Sequence, residues 1–195
     1  MKKRGFIVVF SAPSGTGKTS ILKEVLSRNK EAVYSISVTT RSKRPEELDG
    51  KDYHFVSKEE FKKKIERGEF AEWAEVHGSL YGTLRENLTQ ASEQGKIVIV
   101  DADTQGAMQI KKRFPDSVTI FIAPPSIESL EQRLRRRGTD SQEAIERRLA
   151  DAPGELGKIP EYDYLIVNED IDRSVGEVLA ILEAESCRTK RCRYP

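Results

Sequence analysis

At 195 residues the chain has the length of one α/β domain with insertions, ample for one core and short for two independent domains. Charged residues make up 33% of it yet cancel to a net +1, which excludes the global field that draws proteins onto nucleic acid or anionic membranes. No apolar run approaches the roughly twenty residues that span a bilayer, and Met1-Lys2-Lys3-Arg4 leads into a strand without a cleavage signal. The expectation is a cytoplasmic protein, with no membrane or nucleic-acid partner and no obligate protein partner evident.

Phe6-Ile7-Val8-Val9-Phe10 reads as a buried strand, and Ile21, Leu22, Val25 and Leu26 as the apolar face of a helix. Between them lies Ala12-Pro13-Ser14-Gly15-Thr16-Gly17-Lys18-Thr19-Ser20. Strand, glycine-rich turn and helix in that order form a phosphate-binding loop, because backbone N–H groups can converge on a polyphosphate where no side chain blocks the approach. Gly15 and Gly17 permit that approach, Lys18 reaches a β/γ-phosphate, and Thr19 offers a hydroxyl to Mg²⁺. The first position of the pattern, normally Gly, is Ala12.

Residues 36–86 are polar and aromatic, with one helix opened by Ser57 and Glu60 at capping-box spacing. Continuous apolar runs at Ile97–Val100, Val118–Ala123 and Leu165–Val167 suit parallel strands buried on both faces. Helical patterns cover Asp103–Arg113 and Ile127–Arg137, and Val175, Val178, Leu179 and Leu182 mark a closing helix. The predicted fold class is therefore α/β, a phosphate-loop parallel sheet with helices on both faces, plus a small insertion and an Arg-rich lid. Residues 36–86 and 126–158 read as two insertions standing over the carboxyl ends of the strands of a core formed by 1–35, 87–125 and 159–195. Ala152-Pro153-Gly154-Glu155 is expected to interrupt the lid helix. Cys187 and Cys192 lack partners for a zinc site and read as reduced thiols, and Arg188, Lys190, Arg191 and Arg193 read as a solvated end.

Asp101 closes a central strand next to the phosphate loop, where an acid that organises Mg²⁺ belongs. Asp103, two residues on, points the same way if the chain stays extended, or else caps the next helix.

Six linked motifs, Ser35 to Pro45, Gly50 to Phe55, Glu72-Trp73, Tyr81-Gly82-Thr83, Asp101 to Gly106 and Ile122 to Ser126, resemble the motif series of guanylate kinases in the same order. The resemblance runs from Phe6 to about Leu182. It implies phosphorylation of GMP, and of dGMP, by ATP with Mg²⁺. By position, Arg41, Arg44, Tyr53 and Tyr81 match residues that hold the GMP phosphate, and Ser37, Glu72, Thr83 and Asp103 match the set that reads guanine. Ala12 to Ser20 and Asn168 match the ATP site, Asn168 falling beside the adenine ring. Lys18, Arg41, Arg137 and Arg148 match groups acting on the transferred phosphoryl, with Arg133 a weaker match, and Thr19 and Asp101 match the metal-organising pair. The chemistry suits these residues, since guanine offers N1–H and an amine that carboxylates accept. Lys43 and Glu46 depart from the commoner residues of the phosphate-gripping loop, and Arg135, Arg136, Arg147, His54 and His77 are assigned no role. Two other functions fit the fold: a non-catalytic guanylate-kinase-like binding module, and a sister kinase acting on a sugar phosphate.

Overall fold

A computed structural model of the chain describes residues 2–76, 78–138 and 141–193. The first half contains β1 (Lys2–Lys3), β2 (Phe6–Ser11), α1 (Lys18–Arg28), β3 (Ala32–Tyr34), β4 (Val38–Thr39), β5 (His54–Phe55), α2 (Lys58–Glu66), β6 (Phe70–Val76), β7 (Ser79–Leu84) and α3 (Arg85–Glu93). It continues with β8 (Ile97–Asp101), α4 (Thr104–Arg113), β9 (Val118–Ala123), α5 (Ile127–Arg137), α6 (Gln142–Leu156), β10 (Tyr164–Val167), α7 (Ile171–Ser186) and β11 (Cys192–Arg193).

The main sheet has the order β10-β9-β2-β8-β3, and every pair in it is parallel. Successive residues face opposite sides of the sheet, so burial of both faces explains the unbroken apolar runs of β2, β8 and β9. The expectation fails for β10, an edge strand that buries Ile166 but leaves Leu165 and Val167 exposed. Phe6, Val8 and Phe10 of β2 pack with α1 and α7, while Ile7 and Val9 pack on the other face with Leu88 of α3 and Ala107 and Ile110 of α4. The carboxyl ends of β2 and β8 lie side by side, with Phe10 opposite Asp101, and this sets the phosphate loop beside the acid.

The segment predicted as a polar insertion carries its own mixed sheet, ordered β5-β4-β7-β6. Its core is Val38, Phe61 and Phe70, the two rings stacked 4.4 Å apart. The strands β4 and β5 are two residues each, too short to leave a periodic signal in the sequence. The predicted helix cap is present: Ser57 accepts from Glu60 N–H.

Two further expectations are corrected. The lid helix is not interrupted, because α6 runs through Pro153 and Gly154 to Leu156. Ala152 is fully buried against Leu130, Leu134 and Ile145, and that packing outweighs the local preference at a proline sitting near the helix end. In the tail Arg188 and Lys190 are exposed as a solvated end requires, but Arg191 is not. Arg191 is only 4% exposed; its guanidinium lies 4.1 Å from the Phe6 ring centroid, pairs with Glu185 and donates to Asp116 O at 2.9 Å. A buried Arg requires such partners, and the pairing of β1 with β11 holds the tail where Arg191 can reach them. Cys187 and Cys192 are free thiols. Among the described residues no helix is long and apolar enough to cross a membrane.

Candidate active site

The phosphate loop is braced from beneath. Gly15 and Gly17 have φ of 92° and 100°, the left-handed region that disfavours a side chain. A Cβ on Gly15 would meet Leu134 at 2.7 Å, and one on Gly17 would meet the Asn168 amide nitrogen at 2.6 Å. The glycines thus serve packing below the loop as well as the open approach above it. Thr16 is fully buried, its hydroxyl donating to Pro13 O at 2.7 Å. Thr16 O in turn accepts from Asn168 Nδ2 at 2.7 Å and from Arg133 Nη1 at 2.9 Å. Pro13 is buried, Ala12 packs against the core on the α1 and α7 side, and Ser14, Thr19 and Ser20 are exposed at the mouth.

Lys18 forms an ion pair with Asp101, the two side chains 17% and 27% exposed. Sequence places both at the carboxyl end of the sheet, and the structure brings them into contact. Asn168 is 2% exposed, with its amide spent on Thr16 O and on the Ser174 hydroxyl at 3.1 Å. In this position it supports the loop from beneath. Arg133 likewise grips backbone, donating to Asn168 O at 2.8 Å as well as to Thr16 O. Arg148 of α6 reaches back to the Ser14 hydroxyl. Arg137 closes α5, and its side chain lies outside the described residues, as does His77. Arg135, Arg136 and Arg147, assigned no role from sequence, are exposed.

A cavity of about 160 Å³ opens between the two sheets, lined by Tyr34, Ser37, Tyr53, Glu72, Tyr81, Asp101 and Asp103 among others. Glu72 is 6% exposed, so it is no surface charge. Its Oε1 accepts from the Thr83 hydroxyl at 2.6 Å, a pairing set by the β6–β7 register after a bulge between Phe70 and Glu72. Burial raises its carboxyl from the ordinary 4.5 to about 7, with Thr83 opposing the shift and nearby Asp103 adding to it. Asp103 does both things considered for it, since Oδ1 caps α4 through Gly106 N–H at 2.7 Å while the residue lines the cavity. A Cβ on Gly106 would stand 2.6 Å from Glu72 Oε2, so the helix start is bare where the carboxylate needs room.

Arg41, Tyr53 and Tyr81 gather at the mouth. The Arg41 guanidinium sits 5.4 Å from the Tyr53 ring centroid, and Tyr53 meets Tyr81 edge-on at 6.0 Å. Arg44 is exposed, and so are Lys43 and Glu46. Sequence reasoning missed Tyr34, which lines the cavity with its phenol pushed upward by burial, and Glu47, whose carboxylate takes 2.6 Å from Arg41 Nη2. Tyr34 closes a buried strand and reads as core; Glu47 is one acid among many in a polar loop.

A phosphate loop at the carboxyl edge of a parallel sheet, facing a second crevice with buried acceptors and basic groups, defines a phosphoryl transferase of the nucleoside monophosphate kinase type. Comparison with known proteins gives the family. The guanylate kinase family model matches residues 4–185. A guanylate kinase of Syntrophotalea carbinolica is 51% identical over 99% of this chain and 92% of its own, and one of Thermotoga maritima is 47% identical over 96% and 91%. The crystal structure of guanylate kinase from Anaplasma phagocytophilum superposes with a TM-score of 0.82 at 38% identity, covering 97% of this chain and 90% of that one. The chain belongs to the guanylate kinase family.

Proposed function

We infer that this protein transfers the γ-phosphoryl group of ATP to GMP or dGMP, giving ADP and the guanosine diphosphate, in the cytoplasm. The observation that carries the reading is Glu72, a buried carboxylate held by Thr83 beside Asp103, in a crevice that also reaches Asp101 and hence the Lys18 loop. Guanine supplies two donors to such acceptors, and adenine supplies no N1–H. A phosphorylated sugar has no use for them, and a non-catalytic module has no use for an intact Gly17, Lys18 and Thr19.

In this reading residues 36–86 hold GMP, with Ser37, Thr83, Glu72 and Asp103 on the base and Arg41, Arg44, Tyr53 and Tyr81 on the phosphate. Ala12 to Ser20 hold the ATP phosphates, and residues 126–158 form a lid bringing Arg137 and Arg148 over the transferred group. Catalysis is positioning plus electrostatics: Lys18 and the lid arginines stabilise charge on the moving phosphoryl, Arg41 holds the acceptor in line, and closure excludes water. The acceptor is already a phosphate oxygen and needs no side-chain base.

Thr19 and Asp101 present hard oxygen donors that suit Mg²⁺. Among the described residues there is no cluster of three or more His, Cys, Asp and Glu that could hold a metal ion. A cation held by Thr19 and Asp101 would supply charge neutralisation for the transferred phosphate. The test is a coupled ADP-release assay with GMP, dGMP, AMP, CMP, UMP and a phosphorylated sugar as acceptors. Turnover confined to the guanine nucleotides supports the reading, and turnover led by any other acceptor refutes it.

A further inference from the structure

Arg41 is the residue expected to grip the acceptor's phosphate, yet its guanidinium already has an anionic partner. Nη2 donates to Glu47 Oε1 at 2.6 Å, and Nη1 donates to Ser42 O at 2.8 Å. The other carboxylate oxygen of Glu47 takes the Arg44 N–H at 2.9 Å. One side chain therefore fixes the first arginine by its head group and the second by its backbone. The pair is secluded, with the Arg41 and Glu47 side chains 20% and 13% exposed. The rings of Tyr53 and Phe55 border it at 5.4 Å and 5.9 Å from the guanidinium carbon, and Thr39 Oγ1 accepts the Arg41 N–H at 3.1 Å.

We propose that Glu47 is a positioning residue for GMP, holding the Arg41 guanidinium and the Arg44 backbone in place before the phosphate arrives. The inference rests on the reading that Arg41 and Arg44 hold the acceptor phosphate. Two effects of a carboxylate at this place oppose each other. It repels the incoming phosphate, but it also removes the conformational freedom that a long, flexible side chain would otherwise lose on binding. The repulsion is small because the charge of Glu47 is already matched by Arg41 at contact. The ordering term is large because one carboxylate orders both the side chain and the loop. Ordering wins, and removing Glu47 weakens GMP binding. Its carboxyl is held below the usual range by Arg41 above all, so it is charged at neutral pH.

The experiment compares KM for GMP, KM for ATP and kcat in the full chain for Glu47→Ala, Glu47→Gln and Glu47→Asp, each alone and combined with Arg41→Met. Glu47→Ala is expected to raise KM for GMP about tenfold, the scale of one lost charged hydrogen bond, with KM for ATP within about twofold. Glu47→Gln, which keeps an acceptor for Arg41, should recover part of that loss. In the Arg41→Met background Glu47→Ala should add little, because its principal partner is gone. A lower KM for GMP in Glu47→Ala, or an equal loss with and without Arg41, would overturn the proposal. Equal rises in both KM values would also do so, marking a merely structural acid. The wild-type arm separates the two readings, since failure of the parent protein to phosphorylate GMP would reject the assigned function itself.

Discussion

The two halves of the crevice are built on opposite plans. On the ATP side, Leu134, Asn168 and Arg133 press on or bond to Gly15, Gly17 and Thr16, so the loop's shape is fixed by packing and by backbone acceptors. On the side proposed for GMP, charged side chains are held by ion pairs and hydrogen bonds: Arg41 by the Glu47 carboxylate, Glu72 by the Thr83 hydroxyl, Asp103 by a backbone N–H at the start of α4. A triphosphate is bound chiefly through backbone N–H groups, whose placement depends on chain geometry. A base is read by side chains, which must be buried to discriminate and therefore carry a desolvation cost.

The largest break in this comparison is Lys18→Met. It removes the loop's charge while leaving the brace, and turnover should fall on the order of a thousandfold with little change in melting temperature. Near-normal kinetics in a folded variant would dissociate the loop from the chemistry. Next is Arg41→Met or Arg44→Met, where KM for GMP should rise about ten- to a hundredfold and KM for ATP far less. Equal effects on both substrates would erase the division of labour.

The pH dependence of Glu72 sharpens the contrast. Its folded pKa of about 7 lies above the ordinary 4.5, so its contribution to stability is fullest in acid and is lost as pH rises through about 7. Guanine requires the ionised form, so GMP affinity runs the other way. Between pH 8 and pH 6, kcat/KM for GMP should fall about tenfold in wild type. Glu72→Gln should abolish that Glu72-dependent fall and should not lose stability over the same rise in pH. A wild-type profile identical to that of Glu72→Gln would exclude Glu72 as the titrating group.

The smallest effect probes the brace. Gly15→Ala meets both a φ of 92° and the Leu134 side chain, and should cost about 1–3 kcal/mol. Thermal melts should register several degrees, with KM for ATP raised more than KM for GMP. An unchanged melt would mean the loop is not held from below.

The same contrast governs what the sequence discloses. Ala12 to Ser20 is contiguous and flanked by an apolar strand and an amphipathic helix, so local spacing reveals it together with the sheet behind it. Glu72, Thr83, Arg41 and Tyr53 lie on different strands and loops, and nothing in periodicity joins them. Only the resemblance to a family does. The Thr83–Glu72 bond depends on a bulge, Glu47 looks like any loop acid, and the burial of Arg191 depends on a tail strand only two residues long. The continuity of α6 through Pro153 was hidden for the opposite reason: local preference argued for a break, and contacts with Leu130 and Leu134 overrode it.

The base-reading site is the central claim, and discrimination between GMP and AMP tests it most directly. Measured with ATP at pH 8, kcat/KM for GMP should exceed that for AMP by roughly 10⁴-fold or more, because AMP leaves buried acceptors unpaired. Glu72→Gln should narrow the ratio by lowering GMP use, since its amide donates as well as accepts. Comparable values for GMP and AMP in the wild-type protein, or a ratio untouched by Glu72→Gln, would contradict the assignment of Glu72 as the reader of guanine.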